Sequence, residues 1–213
     1  MPAMKDREYR NMLLEVREIK DTDEEDNSKV VRGYASTFNE PYTLYENDDW
    51  RFNEVVDADA FANTDMSDVI MQYDHEGRVF ARISNGTLSV TPDEKGLLIE
   101  ADLGGTELGR QLFEEIEGGY TNKMSFGFTV DGEDILDTKD EDGKALAVRT
   151  IKSVRKLYDV SAVSLPANDA TSISVRNLTD GVIERIQAER LEAEKLELRR
   201  RKLLAKAKLN GGQ

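Results

Sequence analysis

The chain has 213 residues with no cysteine, a single histidine and a formal net charge of −14 at pH 7. The missing cysteine excludes disulfide bonds, thiol catalysis and thiolate metal sites, and one histidine is too few for the usual zinc site. No stretch approaches the roughly 18 consecutive apolar residues of a membrane span, and the N-terminus lacks an apolar run of signal-peptide length. We expect an intracellular protein that needs no cofactor, binds no metal and contacts no membrane.

The charge is unevenly distributed along the chain. Residues 178–213 hold nine of the 29 Lys and Arg and six of the 43 Asp and Glu, so 1–177 hold 20 and 37 and carry a net charge of −17. An acidic body disfavours direct binding to nucleic acid, because such binding needs a basic face. A basic or mixed protein partner is compatible with this acidity, and so is a simple role in solubility.

The first half of the chain predicts short strands separated by turns. Residues 1–10 show no periodic pattern and are expected to be frayed, and 39–51 are typical of a loop. Strands are predicted from alternation at 12–20, 29–38, 52–56, 69–73, 79–83, 87–91 and 97–103. The pair Asn85-Gly86 is a strong two-residue turn signal, so the strands on either side of it are expected to form a hairpin.

The second half contains the clearest helical pattern. Residues 106–117 predict a helix with a threonine cap and a Gly-Gly stop. A strand at 121–130 follows directly. Residues 131–144 are expected to form an acidic, mobile loop, and two further strands are predicted at 145–151 and 154–165.

This series of short strands, one internal helix and frequent turns predicts a mainly β fold with helices, in the form of a partly closed, mainly antiparallel barrel. Residues 179–209 differ, because they predict one long, charge-rich helix whose apolar positions hold no clean heptad. We interpret this helix as a solvated extension or a partner-binding arm rather than a second domain. The predicted boundary therefore separates 1–177 from 178–213.

The strand at 121–130 places Ser125 where a nucleophile could stand. Met124, Phe126 and Phe128 alternate on one face, so Ser125 is expected on the opposite, half-exposed face, beside Gly127. A side chain on a rigid strand is well held for chemistry, and the glycine lets another backbone come close. A solvated polar residue on such a strand is nevertheless the more common case, and alternation by itself favours that interpretation.

His75 follows the predicted strand at 69–73 and is the only histidine of the chain. If the protein uses a histidine base, that base is His75, because no other side chain titrates near neutrality by default. An ordinary surface histidine in a turn is the alternative. The neighbouring Asp74 and Glu76 lack the spacing of a known metal-binding loop.

Asp159 lies in an otherwise apolar strand, on the same face as Ser161. A carboxylate is costly to bury there unless it is paired or hydrogen-bonded. A carboxylate that orients a histidine is the usual arrangement for activating a serine, whose hydroxyl is too weakly acidic to react unaided. Sequence spacing alone does not bring positions 75, 125 and 159 together.

Five blocks with a fixed order carry a family resemblance. They are Gln72-Tyr-Asp-His-Glu-Gly77, Gly96-Leu-Leu-Ile-Glu-Ala-Asp-Leu103, Thr106-Glu-Leu-Gly-Arg-Gln-Leu112, Lys123-Met-Ser-Phe-Gly-Phe128 and Leu157-Tyr-Asp-Val-Ser-Ala-Val-Ser-Leu-Pro-Ala167. In this order they resemble the prohead maturation proteases of tailed phages, which are related in fold to herpesvirus assembly proteases. The resemblance covers about 30–175.

The resemblance implies a barrel of the herpesvirus-protease type for the domain at 1–177, whereas the charged helical extension at 178–213 is predicted from its own charge and pattern. It also implies that Ser125 is the nucleophile, His75 the general base and Asp159 the third catalytic member. The family usually carries glutamate at the third position, so Asp159 is one methylene shorter than expected.

The function that the resemblance implies is a serine endopeptidase of capsid maturation. Its substrates would be the scaffolding protein or the scaffolding segment of the major capsid protein, and the protease itself, inside the assembling prohead in the host cytoplasm. Backbone amides are the expected oxyanion donors, with Arg149, Lys152 and Arg155 as basic candidates only by position. A homo-oligomer is compatible with this function. The alternative is a non-catalytic assembly or scaffold-like protein that works through its long helix.

Overall fold

The computed structural model describes residues 7–13, 19–21, 29–164, 188–189, 191–192 and 195–202. The strands in this part of the chain are β1 (Glu8–Leu13), β2 (Ile19–Asp21), β3 (Lys29–Thr37), β4 (Tyr42–Glu46), β5 (Trp50–Val56), β6 (Ile70–Tyr73), β7 (Glu76–Arg82), β8 (Leu88–Pro92), β9 (Gly96–Asp102), β10 (Lys123–Lys139) and β11 (Ala145–Val163). The helices are α1 (Glu107–Glu117) and α2 (195–202), and a short 3-10 helix spans Ile83–Asn85. The prediction of a mainly β protein with helices is confirmed.

The larger sheet has seven strands and is organised around β11. Its main path runs β1-β10-β11-β5-β4, and β6 pairs with β11 and with β7. β11 is antiparallel to β10 along its whole length, whereas it is parallel to β5 through its first half and to β6 near its end. By pairing with β10, β5 and β6, the long strand β11 brings together residues that are far apart in the sequence.

The smaller sheet has four antiparallel strands in the order β2-β3-β9-β8. β3 pairs with β9 over most of its length, and both strands alternate between buried and partly buried residues. This alternation is typical of a sheet that covers a core with one face.

The predicted partly closed barrel is wrong, because the described strands form two separate sheets and neither closes on itself. Among these strands, no hydrogen-bonded ladder joins the edges β2 and β8 of the smaller sheet to the larger one. The two sheets instead approach each other where β3 lies close to β1 and β10. Alternation in a sequence indicates which face of a strand is buried, but it does not indicate which edges pair.

The hydrophobic core includes side chains of both sheets and of helix α1. Phe126 and Phe128 stack at 4.7 Å between ring centroids and are fully buried, and Phe61 meets Phe126 edge-on. Leu112 and Phe113 of α1 reach the same core. Burying a side chain of this size contributes roughly 1.5–3 kcal/mol, so the apolar face of β10 holds the Ser125 strand firmly in the sheet.

The hairpin of β10 and β11 is longer than the sequence predicts. The loop expected at 131–144 is wrong for 131–139, since β10 continues to Lys139 and pairs with β11 as far as Ala145, and the connection is confined to 140–144. The two strands predicted at 145–151 and 154–165 are likewise one continuous strand, β11. The acidic part of β10 is mostly exposed and lacks an apolar stripe, so its strand conformation depends on pairing with β11 rather than on its own pattern.

Two other local predictions are wrong for a similar reason. Asn85 and Gly86 do not join a hairpin, because Gly86 ends the 3-10 helix with a φ of 78° and β8 pairs with β9. The segment predicted as a loop at 39–51 contains β4, which pairs with β5. Turn and loop signals indicate local backbone conformation, whereas strand pairing depends on distant partners.

The chain divides into two compact units, Met1–Leu178 and Thr179–Gln213. In the second unit, α2 is an eight-residue exposed helix, and 188–189 and 191–192 are also helical. The rest of the long helix predicted at 179–209 lies outside the described residues. Within the described part of the chain, no helix has the length and apolar character needed to cross a membrane.

Candidate active site

One face of the larger sheet collects polar side chains from neighbouring strands. Ser125 of β10 stands opposite Ser161 of β11, and Gly127 stands opposite Asp159. Side chains two residues apart on a strand share a face. The pair of Ser125 and Ser161 and the pair of Gly127 and Asp159 therefore form two adjacent rows on the same face of the sheet. β6 extends the first row, because Gln72 pairs with Ser161. The opposite face of β10 carries the core phenylalanines.

His75 reaches this face from the tight turn between β6 and β7. Tyr73 pairs with Glu76, so Asp74 and His75 are the two turn residues, with φ angles of 47° and 60°. Positive φ at both positions is typical of the turns that suit hairpin twist, yet it is strained for a histidine. Asp74 holds the turn, because its carboxylate accepts hydrogen bonds from the Ser164 amide at 2.9 Å and hydroxyl at 2.8 Å.

His75 lies within hydrogen-bond distance of both Ser125 and Asp159, the other two residues singled out in the sequence. The Oγ of Ser125 is 2.6 Å from Nε2 of His75, and Nδ1 of His75 is 2.5 Å from Oδ2 of Asp159. An ionised carboxylate can only accept, so it selects the imidazole tautomer with the proton on Nδ1. Nε2 then accepts the proton of the serine hydroxyl.

Asp159 is completely buried, and its carboxylate has three partners among the described residues. Besides His75, the hydroxyl of Ser161 donates a hydrogen bond to Oδ2 at 2.7 Å, and Arg7 forms an ion pair with Oδ1. A buried carboxylate with this many partners keeps its charge and one orientation.

The residues just before and within β1 contribute to the site, so the expectation that 1–10 are frayed is wrong for Arg7 onward. The ring of Tyr9 lies 4.3 Å from that of His75, centroid to centroid, and the guanidinium of Arg7 lies over the rings of Tyr9 and Tyr158. β1 is held here by its antiparallel pairing with β10, in which Tyr9 is opposite Gly127.

Gly127 leaves space for the ion pair between Arg7 and Asp159. A Cβ added at this position would lie 2.7 Å from Nη2 of Arg7 and would also overlap Oδ1 of Asp159. The sequence predicts that another backbone segment approaches this glycine. In the structure, the side chains of Arg7 and Asp159 occupy this space instead.

Ser125 is fully buried, which differs from the half-exposed position that alternation predicts. Its polar face is covered by His75, which hydrogen-bonds to it, and Arg7 and Asp159 fill the adjacent space above Gly127. These covering groups come from other segments of the chain, and an alternation pattern within β10 carries no information about them.

The electrostatics of the site keep His75 neutral. Burial lowers the pKa of His75 to about 4, and the positive charge of Arg7 acts in the same direction while Asp74 opposes it. Above that pH the imidazole is uncharged and can accept a proton at Nε2, as a general base must.

The basic residues considered as oxyanion donors lie in other interactions. The Arg149 guanidinium is buried against Glu8, Glu54 and Glu133. Lys152 and Arg155 pair with the carboxylates of Asp57 and Asp131 instead.

Among the described residues, no group of three acidic or histidine side chains is placed to hold a metal ion.

A comparison with protein families matches residues 14–183 to the caudovirus prohead serine proteases. The chain belongs to this family. The matched segment includes Ser125, His75 and Asp159, whereas Arg7 and Tyr9 precede it. No curated protein and no solved structure matches the chain.

Membership of the family makes this protein a serine peptidase of phage capsid maturation. A prohead protease acts on capsid or scaffold proteins in general, and it does so inside the procapsid in the host cell.

Sequence reasoning did not find two of the side chains that contact the prohead protease's candidate site. Arg7 and Tyr9 stand in a polar N-terminal segment without periodicity, and no signal marks them. Ser161 was detectable in principle, because it lies on the same strand face as Asp159, two residues away.

Proposed function

We propose that the prohead protease is a serine endopeptidase in which Ser125 is the nucleophile, His75 the general base and Asp159 the residue that orients His75. The observation that supports this proposal is the continuous hydrogen-bond path from the Ser125 hydroxyl through both ring nitrogens of His75 to Asp159, at 2.6 and 2.5 Å. Membership of a serine protease family supports it independently.

The proposed reaction is acyl transfer in two steps. Nε2 of His75 takes the hydroxyl proton as Oγ of Ser125 bonds to the scissile carbonyl carbon, and the imidazolium then gives this proton to the leaving amine. A water molecule releases the acyl group by the same route. Asp159 stabilises the imidazolium that forms in each step, without taking the proton itself.

We propose that the substrates are the scaffolding protein, or the scaffolding segment of the major capsid protein, together with the protease itself. In this proposal Met1–Leu178 is the protease domain and Thr179–Gln213 a charged extension. The extension carries a net positive charge, whereas the preceding chain is strongly acidic. We infer that the extension recruits the enzyme to the scaffold and is removed by self-cleavage.

The test of catalysis is co-production with the major capsid protein of the same phage, with gel analysis of capsid protein length. The wild type should shorten the capsid protein, and Ser125→Ala and His75→Ala should each reduce the rate of shortening by about 10⁴-fold or more. Ser89→Ala is the matched control, since Ser89 is an exposed strand serine in the smaller sheet. Undiminished processing by Ser125→Ala would favour the alternative, a non-catalytic assembly protein.

The test of the extension is a chain that ends at Leu178. We expect it to be packaged into proheads at a markedly lower level than the full chain, measured as protease copies per purified prohead. Normal packaging of the shortened chain would contradict the recruiting role.

A further inference from the structure

Arg7 lies in a partly buried environment that is energetically unfavourable for an arginine side chain. Its side chain is about one-fifth exposed, and burial lowers the pKa of its guanidinium. Its Nε is buried and has no hydrogen-bond partner in the described part of the chain. An unsatisfied buried donor costs about 1–3 kcal/mol, so stability alone does not explain this placement.

The surroundings of Arg7 direct it toward Asp159. Its guanidinium lies over the rings of Tyr9 and Tyr158, at 5.1 and 4.6 Å from their centroids, which restricts its orientation. The missing side chain at Gly127 opens the path to Oδ1 of Asp159. With Oδ1 held by Arg7, Oδ2 is left for Nδ1 of His75 and the hydroxyl of Ser161.

We propose that Arg7 is a positioning residue of the prohead protease, which holds the Asp159 carboxylate in the orientation that His75 requires and offsets its negative charge at the imidazole. This inference rests on the proposed roles of Ser125, His75 and Asp159. It adds to the site a residue that precedes the segment matched to the family.

The groups that face His75 indicate that the positive charge of Arg7 offsets the negative charge of Asp159. Among the described residues these groups are Asp159 from β11, Arg7 and Tyr9 from the N-terminal segment, and Asp74 from its own turn. Arg7 is the one cation among these groups in the part of the chain that the structure describes, and without it the carboxylate of Asp159 would favour the imidazolium. Arg7 therefore keeps His75 available as a proton acceptor at lower pH.

The first measurement uses the single histidine of the chain. Imidazole carbon-bound protons of His75 give one set of NMR signals in histidine-labelled protein, so their pH titration reports its pKa without any substrate. We expect Arg7→Met to raise this pKa by about 1 unit or more, and Arg7→Lys to leave it close to the wild-type value because the charge is kept. Arg32→Met, which removes an exposed ion pair of the smaller sheet, should not change it.

The second measurement is the rate at which a fluorophosphonate labels Ser125. In this reaction Oγ bonds to phosphorus as fluoride leaves, and His75 takes the serine proton. Arg7→Lys should label about tenfold more slowly than the wild type, because lysine cannot reproduce the planar fork of arginine. Circular dichroism of each variant establishes that it is folded, and Arg7→Lys provides the test should Arg7→Met not fold.

An Arg7→Met protein with the wild-type pKa of His75, or an Arg7→Lys protein labelled at the wild-type rate, would overturn the role of Arg7. Failure of the proposed function has a different signature, namely a wild type whose Ser125 is not labelled at all. In that case the NMR titration still decides whether Arg7 controls His75.

Discussion

Gly127 shows how a single residue of the sheet permits the chemistry next to it. It precedes Phe128 in the core and pairs with both Tyr9 and Asp159 across the sheet, so its position is determined by three strands. The absence of a side chain at this position is what lets Arg7 and Asp159 meet. The glycine acts here through the space it leaves rather than through its backbone conformation.

We predict that Gly127→Ala lowers the labelling rate of Ser125 by about 100-fold while the protein stays folded, since a small displacement of catalytic groups has effects of this size. The added methyl group would push Arg7 or Asp159 out of position. Gly132→Ala is the matched control in the same strand, because its Cβ would meet the rotatable hydroxyl of Ser153 at 2.9 Å. Equal labelling rates for both variants would contradict this account of Gly127.

At the scale of elements, β1 depends on a buried ionic cluster. Glu54 is fully buried and accepts hydrogen bonds from Arg10 and Arg149 at 2.8 and 2.7 Å, and Arg149 also binds Glu8 of β1. Burial alone would raise the pKa of Glu8, but its hydrogen bond from Arg149 and the nearby arginine charges lower that pKa to about 2. The cluster thus joins β1 to β5 and β11 and holds Tyr9 and Arg7 near the site.

Removing the central charge of this cluster should release β1. We predict that Glu54→Gln reduces the free energy of unfolding by about 3–5 kcal/mol, because Arg10 and Arg149 would stay buried without the charge of the one fully buried carboxylate that both contact in the described part of the chain. Urea titration followed by circular dichroism measures the change. Glu46→Gln is the matched control, since Glu46 forms exposed ion pairs with Arg51 and Lys144, and it should leave the unfolding midpoint unchanged. Similar midpoints for both variants would contradict the anchoring role.

At the scale of the whole molecule, two sheets form the core and the site lies on the face of one of them that does not carry the core phenylalanines. Met1–Leu178 is compact by itself, and it contains Ser125, His75 and Asp159 together with the described side chains that contact them. A chain that ends at Leu178 should therefore unfold with the same midpoint as the full chain, even though we expect poor packaging. A shortened chain that unfolds well below the full chain would contradict this independence.

Some elements were predictable because their signals are local. Thr106 caps α1 by accepting a hydrogen bond from the Gly109 amide at 3.0 Å, as the threonine cap predicts. The strand around Ser125 follows from its phenylalanine alternation. The strand character of 133–139 and the pairing of β8 were not predictable, because neither depends on the residues of those segments alone.

The sequence by itself determined the mainly β class, the helix α1, the family resemblance and the identity of any histidine base. Only the tertiary structure decided that His75 meets Ser125 and Asp159, which are 50 and 84 positions away, and that Arg7 joins Asp159 across 152 positions. Local preferences act over a few residues, through backbone sterics and capping. Contacts at such separations depend instead on how the strands pair and how their faces pack, which no single segment specifies.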